Sequence, residues 1–563
     1  MPGGFYAAAV NWGFTRAGFS DIIYNEIIFD VRPLFYTFSA RAGREERTTM
    51  NTSTSNINRL ISALCDYADE RGLITADDRP FAVNAIAEDM HLTDVCDIPG
   101  AVPNDGTPHD IRLERILDEL CGIAAELGII ADTQSSRDNF DTRLMGHLTP
   151  RPGEVSRRFA EDMATSPKLA TDHFYAVSRD SNYIRAARVA RDLRWSVPSP
   201  YGDIDISINM SKPEKDPRDI AAALNAPKSG YPACLLCHEN VGFPGSATAP
   251  ARQTLRQIAL PIGGERWFMQ YSPYVYYNEH CIVLSPRHEP MRITHTTFER
   301  LLDFITALPH YFIGSNADLP IVGGSILTHD HMQGGRYEFP MARAEIKTPL
   351  RFADFPAVSA GILNWPMSVI RLRSADRGEL ASLACRILDM WRGYSDPAVG
   401  ILAETDGVPH NTITPIARRR GEEFEFDLVL RCNITSEQYP MGVFHPHPDK
   451  HNIKKENIGL IEVMGLAVLP SRLKAEAERM AELLVNGADV ASDPICAKHA
   501  EWVARFAGNY PHPADRDAAM SILRAEIGRT FVGVLQDAGV FSEDADGRDA
   551  FLRFADRIGG RLH

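Results

Sequence analysis

Asp318-Leu-Pro-Ile-Val-Gly-Gly-Ser-Ile-Leu-Thr-His-Asp-His-Met-Gln-Gly-Gly335 is the stretch on which the reading of this chain turns. Apolar and β-branched residues lead into His329-x-His331-x-Gln333. Side chains alternate between the two faces of a strand, so residues at i, i+2 and i+4 share one face. On a strand, His329, His331 and Gln333 therefore line up, while Asp330 and Met332 point the other way. Gly323, Gly324, Gly334 and Gly335 flank the row and leave room for a ligand to approach the backbone. An imidazole in such a row could ligate a metal, act as a base, or attack phosphorus as a neutral nucleophile. The bland alternative is a strand with two histidines satisfied by hydrogen bonds.

Working outward, Cys234-Leu-Leu-Cys237 fits one lobe of a tetrahedral zinc site, two thiolates from one tight turn. Its rivals are a redox pair and two unrelated core cysteines. A second lobe has three candidates: His280, His288 and His329. His288 ends Ser285-Pro-Arg-His288, just after an expected strand, where a side chain can turn back to a metal. A second His-x-His, His445-Pro-His447, also lies beside expected strands; it reads either as a mark of internal duplication or as a polar, proline-rich loop. Beyond it, Lys454 and Lys455 could meet a phosphate, against the alternative of a solvated charged turn.

The 563 residues carry 59 Lys+Arg against 74 Asp+Glu, a formal net charge of −15. That balance argues against a nucleic-acid-binding surface, which needs a basic field, but permits a local phosphate pocket. The nine cysteines are odd in number and scattered, so they do not form a disulfide framework, and a reducing, cytoplasmic setting is expected. No apolar run is long enough to span a bilayer, so no membrane is expected. Residues 1–49 read as an extension, with Met50 taken as the native start and a genuine N-terminal extension as the alternative.

Residues 50–200 read as mainly helical: Ile111, Ile116, Leu117, Leu120, Ile123, Ala124 and Leu127 form a stripe closed by Gly128. The pattern then changes. Residues 201–210, 266–286, 423–433 and 456–469 read as strands, and Phe298, Leu301, Leu302, Ile305 and Leu308 as a helix that stops before Pro309. A C-terminal helix is expected from Pro470-Ser471 to Gly487. The expected class is α+β.

Residues 318–335 closely resemble the signature of the second, bacterial class of galactose-1-phosphate uridylyltransferases, of the histidine-triad superfamily. Residues 201–217, 232–245, 270–291, 309–320 and 451–470 are similar to further blocks of that family. The resemblance covers residues 50–510, and Thr328 and Met332 depart from the expected pattern. It implies a duplicated histidine-triad-like antiparallel sheet core, with the active half at 201–345, a degenerate half at 346–470 and a helical region at 471–563. It implies His331 as the uridylylated nucleophile and Gln333 as a donor to phosphoryl oxygens. It implies a structural zinc on Cys234, Cys237, His288 and His329, and no organic cofactor. Asn316, Gly323, Gly324 and Ser325 resemble the strip that holds the uridylyl phosphate. Lys455 and Glu462 fall in the block that meets the hexose phosphate. His445 and His447 look like the degenerate copy; Asp449 stands where an active copy would carry glutamine. The implied substrates are UDP-glucose and galactose 1-phosphate, with N-acetylated hexose phosphates as alternative acceptors and a homodimer carried over from the first class. Two other readings remain: a histidine-triad hydrolase or phosphorylase, against which Gln333 speaks, and a zinc-stabilised sugar-nucleotide binding protein.

Overall fold

The computed structural model describes residues 39–100, 105–210, 230–246, 248–324 and 326–562, with the backbone alone for 39–53. Residues from Ile57 onward form one compact unit. Its first part is helical, with helices at Ser39–Glu70, Arg79–Asp89, His109–Glu126, Gln134–Gly146, Pro152–Thr165 and Pro167–Asp180. In His109–Glu126 the buried face is Leu113, Ile116, Leu117, Leu120, Cys121 and Ala124. The expected stripe is rotated from this, since Ile111 and Leu127 are exposed. Gly128 follows the helix end at φ +70, as expected, where its missing Cβ removes the left-handed penalty.

The centre is an eleven-stranded antiparallel sheet. Its strands are β3 (Ile258–Ile262), β4 (Glu265–Tyr271), β5 (Cys281–Leu284), β6 (Phe312–Gly314), β7 (His331–Gly335), β8 (Ile346–Phe352), β9 (Ser359–Leu363), β10 (Val369–Ser374), β13 (Asn411–Arg420), β14 (Glu423–Cys432) and β16 (Gly560–Leu562). A smaller sheet joins β1 (Leu193–Ser199), β2 (Gly202–Ile208) and β15 (Leu466–Leu469), and β11 (Glu404–Thr405) pairs with β12 (Val408–Pro409). The spatial order of the large sheet is β16-β8-β9-β10-β14-β13-β6-β7-β5-β4-β3.

That order is a duplication. In the first half a meander, β3-β4-β5, leads into the helix His295–Ala307; β6 and β7 follow, and β7 inserts between β5 and β6. In the second half β8-β9-β10 leads into the helix Arg377–Arg392, and β14 inserts between β10 and β13. The halves meet where β6 pairs with β13, Gly314 opposite Ile416. Taking that pair as the centre of the repeat sets the equivalences. Gln333 is opposite Gly314 in one half, and Asp427 is opposite Ile416 in the other. The counterparts of His331 and Gln333 are therefore Glu425 and Asp427. His445 and His447 lie beyond β14, outside any strand, so they are not the second copy of the row.

Both connecting helices cover the same face of the sheet. Phe298, Leu301, Leu302, Phe304 and Ile305 are fully buried there, with Leu380, Leu383, Ile387 and Trp391 from the second helix. Each such side chain contributes about 1.5–3 kcal/mol by leaving water. The opposite face carries His331 and Gln333, and its apolar part packs under 460–538. The expected strand at 456–469 is instead the one-turn helix Leu460–Val463, where Glu462 accepts from the Gly459 N–H at 3.1 Å, followed by β15. The helix Arg472–Val485 begins and ends where expected, with Gly487 at positive φ.

Candidate active site and metal-binding group

The four residues expected to bind metal converge. The ligand atoms of Cys234, Cys237, His288 and His329 all lie within 4.8 Å of one another. The thiols are 3.6 Å apart; His329 Nδ1 is 3.3 Å from Cys234 Sγ, and His288 Nδ1 is 3.2 Å from Cys237 Sγ. Donors at zinc's bond lengths on a tetrahedron are separated by about 3.3–3.8 Å, so the set fits a four-coordinate ion of that size. The surroundings fit as well. Asn240 Nδ2 donates to the carbonyls of Cys234 and Cys237 at 2.7 and 2.9 Å, and the Leu236 N–H points at Cys234 Sγ. His329 Nε2 donates to the Ser285 carbonyl at 3.0 Å, which orients the ring and leaves Nδ1 for a cation. His280, the third candidate for the second lobe, is not part of this group.

His329 immediately precedes β7, and the chemistry continues along the strand. His331 is buried, and its Nδ1 donates to the His329 carbonyl at 2.8 Å. Its Nε2 has no hydrogen-bond partner among the described residues. Burial pushes the His331 pKa down to about 4, so the ring is a neutral imidazole with a free lone pair at neutral pH. Asp330 and Met332 point away as expected: Met332 enters the core, and Asp330 faces Arg300 at 3.4 Å. Gln333 Oε1 lies 3.1 Å from His280 Nε2, and the Gln333 amide nitrogen has no partner among the described residues.

The flanking glycines are also positions where protein packs closely on protein. A Cβ on Gly334 would meet the Phe312 carbonyl at 2.6 Å, and one on Gly335 the Glu279 carbonyl at 2.7 Å. Gly323 is closed in by the carbonyls of Ala317 and Leu319, both at 2.6 Å, and Gly324 by the Asn316 amide. These positions let protein approach protein. Asn316 is buried, and its Oδ1 accepts from the Leu460 N–H at 2.9 Å, tying the 316–324 loop to the one-turn helix. Ser325 lies outside the described residues.

Lys455 is exposed, whereas Lys454 is buried and paired with Glu462 at 3.0 Å. Glu462 is thus held by Lys454, and Lys455 beside it is left exposed. His445 Nε2 is bonded to Asn457 Oδ1 at 3.2 Å, and His447 stacks on Tyr439 at 4.2 Å. The site residue missed from sequence is His280 in its contact with Gln333. Its only sequence signal is a place two residues before Ile282, which β5–β7 register sets opposite Gln333.

Known proteins match this chain over most of its length. A family model described as galactose-1-phosphate uridyl transferase, N-terminal domain, matches residues 109–290, and its C-terminal counterpart matches 305–504. The galactose-1-phosphate uridylyltransferase of Fusobacterium nucleatum is 51% identical over 509 residues, 89% of this chain and 99% of its own. That of Clostridium acetobutylicum is 48% identical over 504 residues, covering 88% and 99%. That of Bacillus subtilis is 48% identical over 508 residues, covering 89% and 98%. These matches place the chain among the nucleotidyltransferases. Within that class, it belongs to the galactose-1-phosphate uridylyltransferase family. Among the described residues no helix is long and apolar enough to cross a membrane.

Proposed function

We propose that the chain moves UMP from UDP-glucose to galactose 1-phosphate by double displacement on His331. The observation that carries this reading is the hydrogen-bond state of His331: Nδ1 donates to the His329 carbonyl, and Nε2, on a neutral ring, has no partner among the described residues. Nε2 attacks the α-phosphorus of UDP-glucose. The nitrogen–phosphorus bond forms as the bond to glucose 1-phosphate breaks, and Nδ1 keeps its proton against the carbonyl. A phosphate oxygen of galactose 1-phosphate then attacks the same phosphorus, and the electron pair returns to Nε2. The first leaving group is a phosphate and the second is the His331 imidazole, so neither step needs a general acid, and one difficult transfer becomes two displacements.

The free amide nitrogen of Gln333 is placed to donate to the phosphoryl oxygens as charge builds on them, a contribution of a few kcal/mol for one pre-organised donor. Asn316 with Gly323, Gly324 and Ser325 is assigned to the uridylyl phosphate, and Lys455 with Glu462 to the hexose phosphate. The bond from Leu460 to Asn316 supports placing those segments side by side. Cys234, Cys237, His288 and His329 would hold a zinc ion whose four protein ligands leave it a structural part, locking the entrance of β7.

Intact mass after mixing with UDP-glucose alone tests the reading. One uridylyl group on His331 and one equivalent of glucose 1-phosphate are expected. Continuous release of UMP would identify a hydrolase, and binding without an adduct would end the covalent mechanism.

A further inference from the structure

We propose that His280 is a positioning residue for this transfer, fixing the Gln333 amide so that its nitrogen faces the phosphoryl group at His331. The inference rests on the function proposed above. The amide oxygen of Gln333 can only accept, so the contact at 3.1 Å requires His280 to donate from Nε2. Nδ1 is then a bare acceptor, and it is buried without a hydrogen-bond partner. His280 is 3% exposed, and among the described residues the one hydrogen bond of its side chain is that to Gln333. Buried polar atoms are nearly always paired, and an orphan calls for an explanation. As core filling alone, an apolar side chain would serve better here, because it would bury no unpaired ring nitrogen.

The ring is also held firmly. It lies 4.6 Å from the Tyr277 ring and 5.5 Å from the Tyr276 ring. The preceding residue, Glu279, has φ +55, a left-handed conformation that non-glycine residues adopt at a cost. Its carboxylate is pinned by the Tyr311 hydroxyl at 2.5 Å and by Arg336. Backbone strain and a half-buried ion pair therefore aim this imidazole at Gln333. Burial keeps the ring neutral, with its pKa near 4, so the donor at Nε2 does not change with ordinary pH. The consequence for chemistry is direct. An amide free to flip would present its oxygen to the phosphoryl oxygens in one of two orientations and repel them. A fixed donor on its oxygen removes that orientation.

The test is a double-mutant cycle on the full chain. His280→Leu removes the donor at similar volume, and His280→Gln places an amide nitrogen where the ring Nε2 stood. His280→Leu should slow both half-reactions about tenfold or more, with KM for UDP-glucose changed by less than about threefold. His280→Gln should recover most of the rate. In a Gln333→Ala background, His280→Leu should cost less than about twofold, because the two residues act as one unit. Equal losses in both backgrounds, or no recovery with Gln in a folded protein, would overturn the role. A wild type that forms no adduct would overturn the proposed function, and this inference with it; additive losses in an active wild type would overturn the His280 role alone. Thermal melts screen the variants, and His280→Met replaces His280→Leu should the latter not fold.

Discussion

Gln333→Glu separates the two tasks assigned to the Gln333 amide. The oxygen accepts from His280 at 3.1 Å, and the nitrogen, unbonded among the described residues, is proposed to donate to phosphoryl oxygen. Glutamate keeps the chain length and the acceptor, removes the donor, and brings a negative charge towards a phosphate. Losing one pre-organised donor costs about 10²–10³-fold, or about 2.7–4 kcal/mol. Repulsion adds to this: two unit charges about 4 Å apart interact by about 4 kcal/mol at an effective dielectric constant near 20. The variant should therefore slow adduct formation by about 10³-fold or more. Its stability should stay within about 1 kcal/mol of the wild type, because the bond from His280 survives. Gln333→Ala is the contrast. It leaves His280 with neither ring nitrogen bonded, and a buried donor left unsatisfied costs about 1–3 kcal/mol. Alanine thus loses rate and stability, glutamate rate alone. Rapid-quench intact mass with UDP-glucose gives the rate, and urea unfolding gives the stability. A Gln333→Glu enzyme within about threefold of wild type would refute the donor role. A Gln333→Ala protein as stable as wild type would show that His280 does not depend on this bond.

Other outcomes follow from the same geometry. His331→Ala should form no adduct, and any retained uridylyl exchange would remove His331 as the nucleophile. Metal analysis should find about one zinc per chain, the ratio expected of one closed four-ligand site, and Cys234→Ser should lose it; full zinc content in the variant would exclude Cys234 as a ligand. Asp427 is fully buried between Arg371 and Arg418, at 2.7 Å from each. Asp427→Asn leaves these guanidiniums under-compensated and should cost about 3–5 kcal/mol in urea unfolding. Burial by itself would raise the Asp427 carboxyl, but Arg418 and Arg371 outweigh it and hold it below the usual carboxylate range. A lowered folded value stabilises the fold above the unfolded pKa of about 3.9, and that stability is lost as pH falls towards the folded value. Asp427→Asn should therefore flatten the decline in stability below about pH 4, and an unchanged decline would contradict the pairing.

The members of the candidate metal-binding group were legible in sequence because each part of it is local, although the residues alone left His280 among them and the family resemblance supplied the final set of four. A CxxC turn, a histidine just past a strand end and a histidine leading a strand can be read without knowing the sheet order. The face of β7 was legible for the same reason, since alternation along one strand needs no partner. What depends on register between strands was not. Nothing in the sequence says that β5 sets His280 diagonally beside Gln333. The close protein packing at the glycines was not legible, because a close approach by a ligand and one by a neighbouring strand make the same demand for a missing side chain. Residues 456–469 are apolar enough for a strand, but the Gly459–Glu462 contact closes a helical turn first. The second His-x-His misled because duplication preserves topology and not motif, so the equivalent strand had lost the histidines that would have marked it.

The two halves show what separates a working copy of this strand from a silent one. On β14 the equivalent row carries Glu425 and Asp427, and their oxygens are taken up by Arg371, Arg373, Arg418 and Arg420. Every polar group there is engaged within the protein, so the row holds the fold and has little left to offer a ligand. On β7 the hydrogen bonds are rationed differently. His331 uses Nδ1 and keeps Nε2, and Gln333 uses its oxygen and keeps its nitrogen. Each bond made fixes the tautomer or the rotamer of the group left unmade. A group-transfer site on a buried sheet needs both conditions: enough bonds to hold each side chain still, and one donor or lone pair on each withheld from the core. Replacing the acids of β14 with histidine and glutamine would supply the residues without that division, because its neighbours on β10 and β13 are arginines and not the carbonyl of a metal-bound histidine.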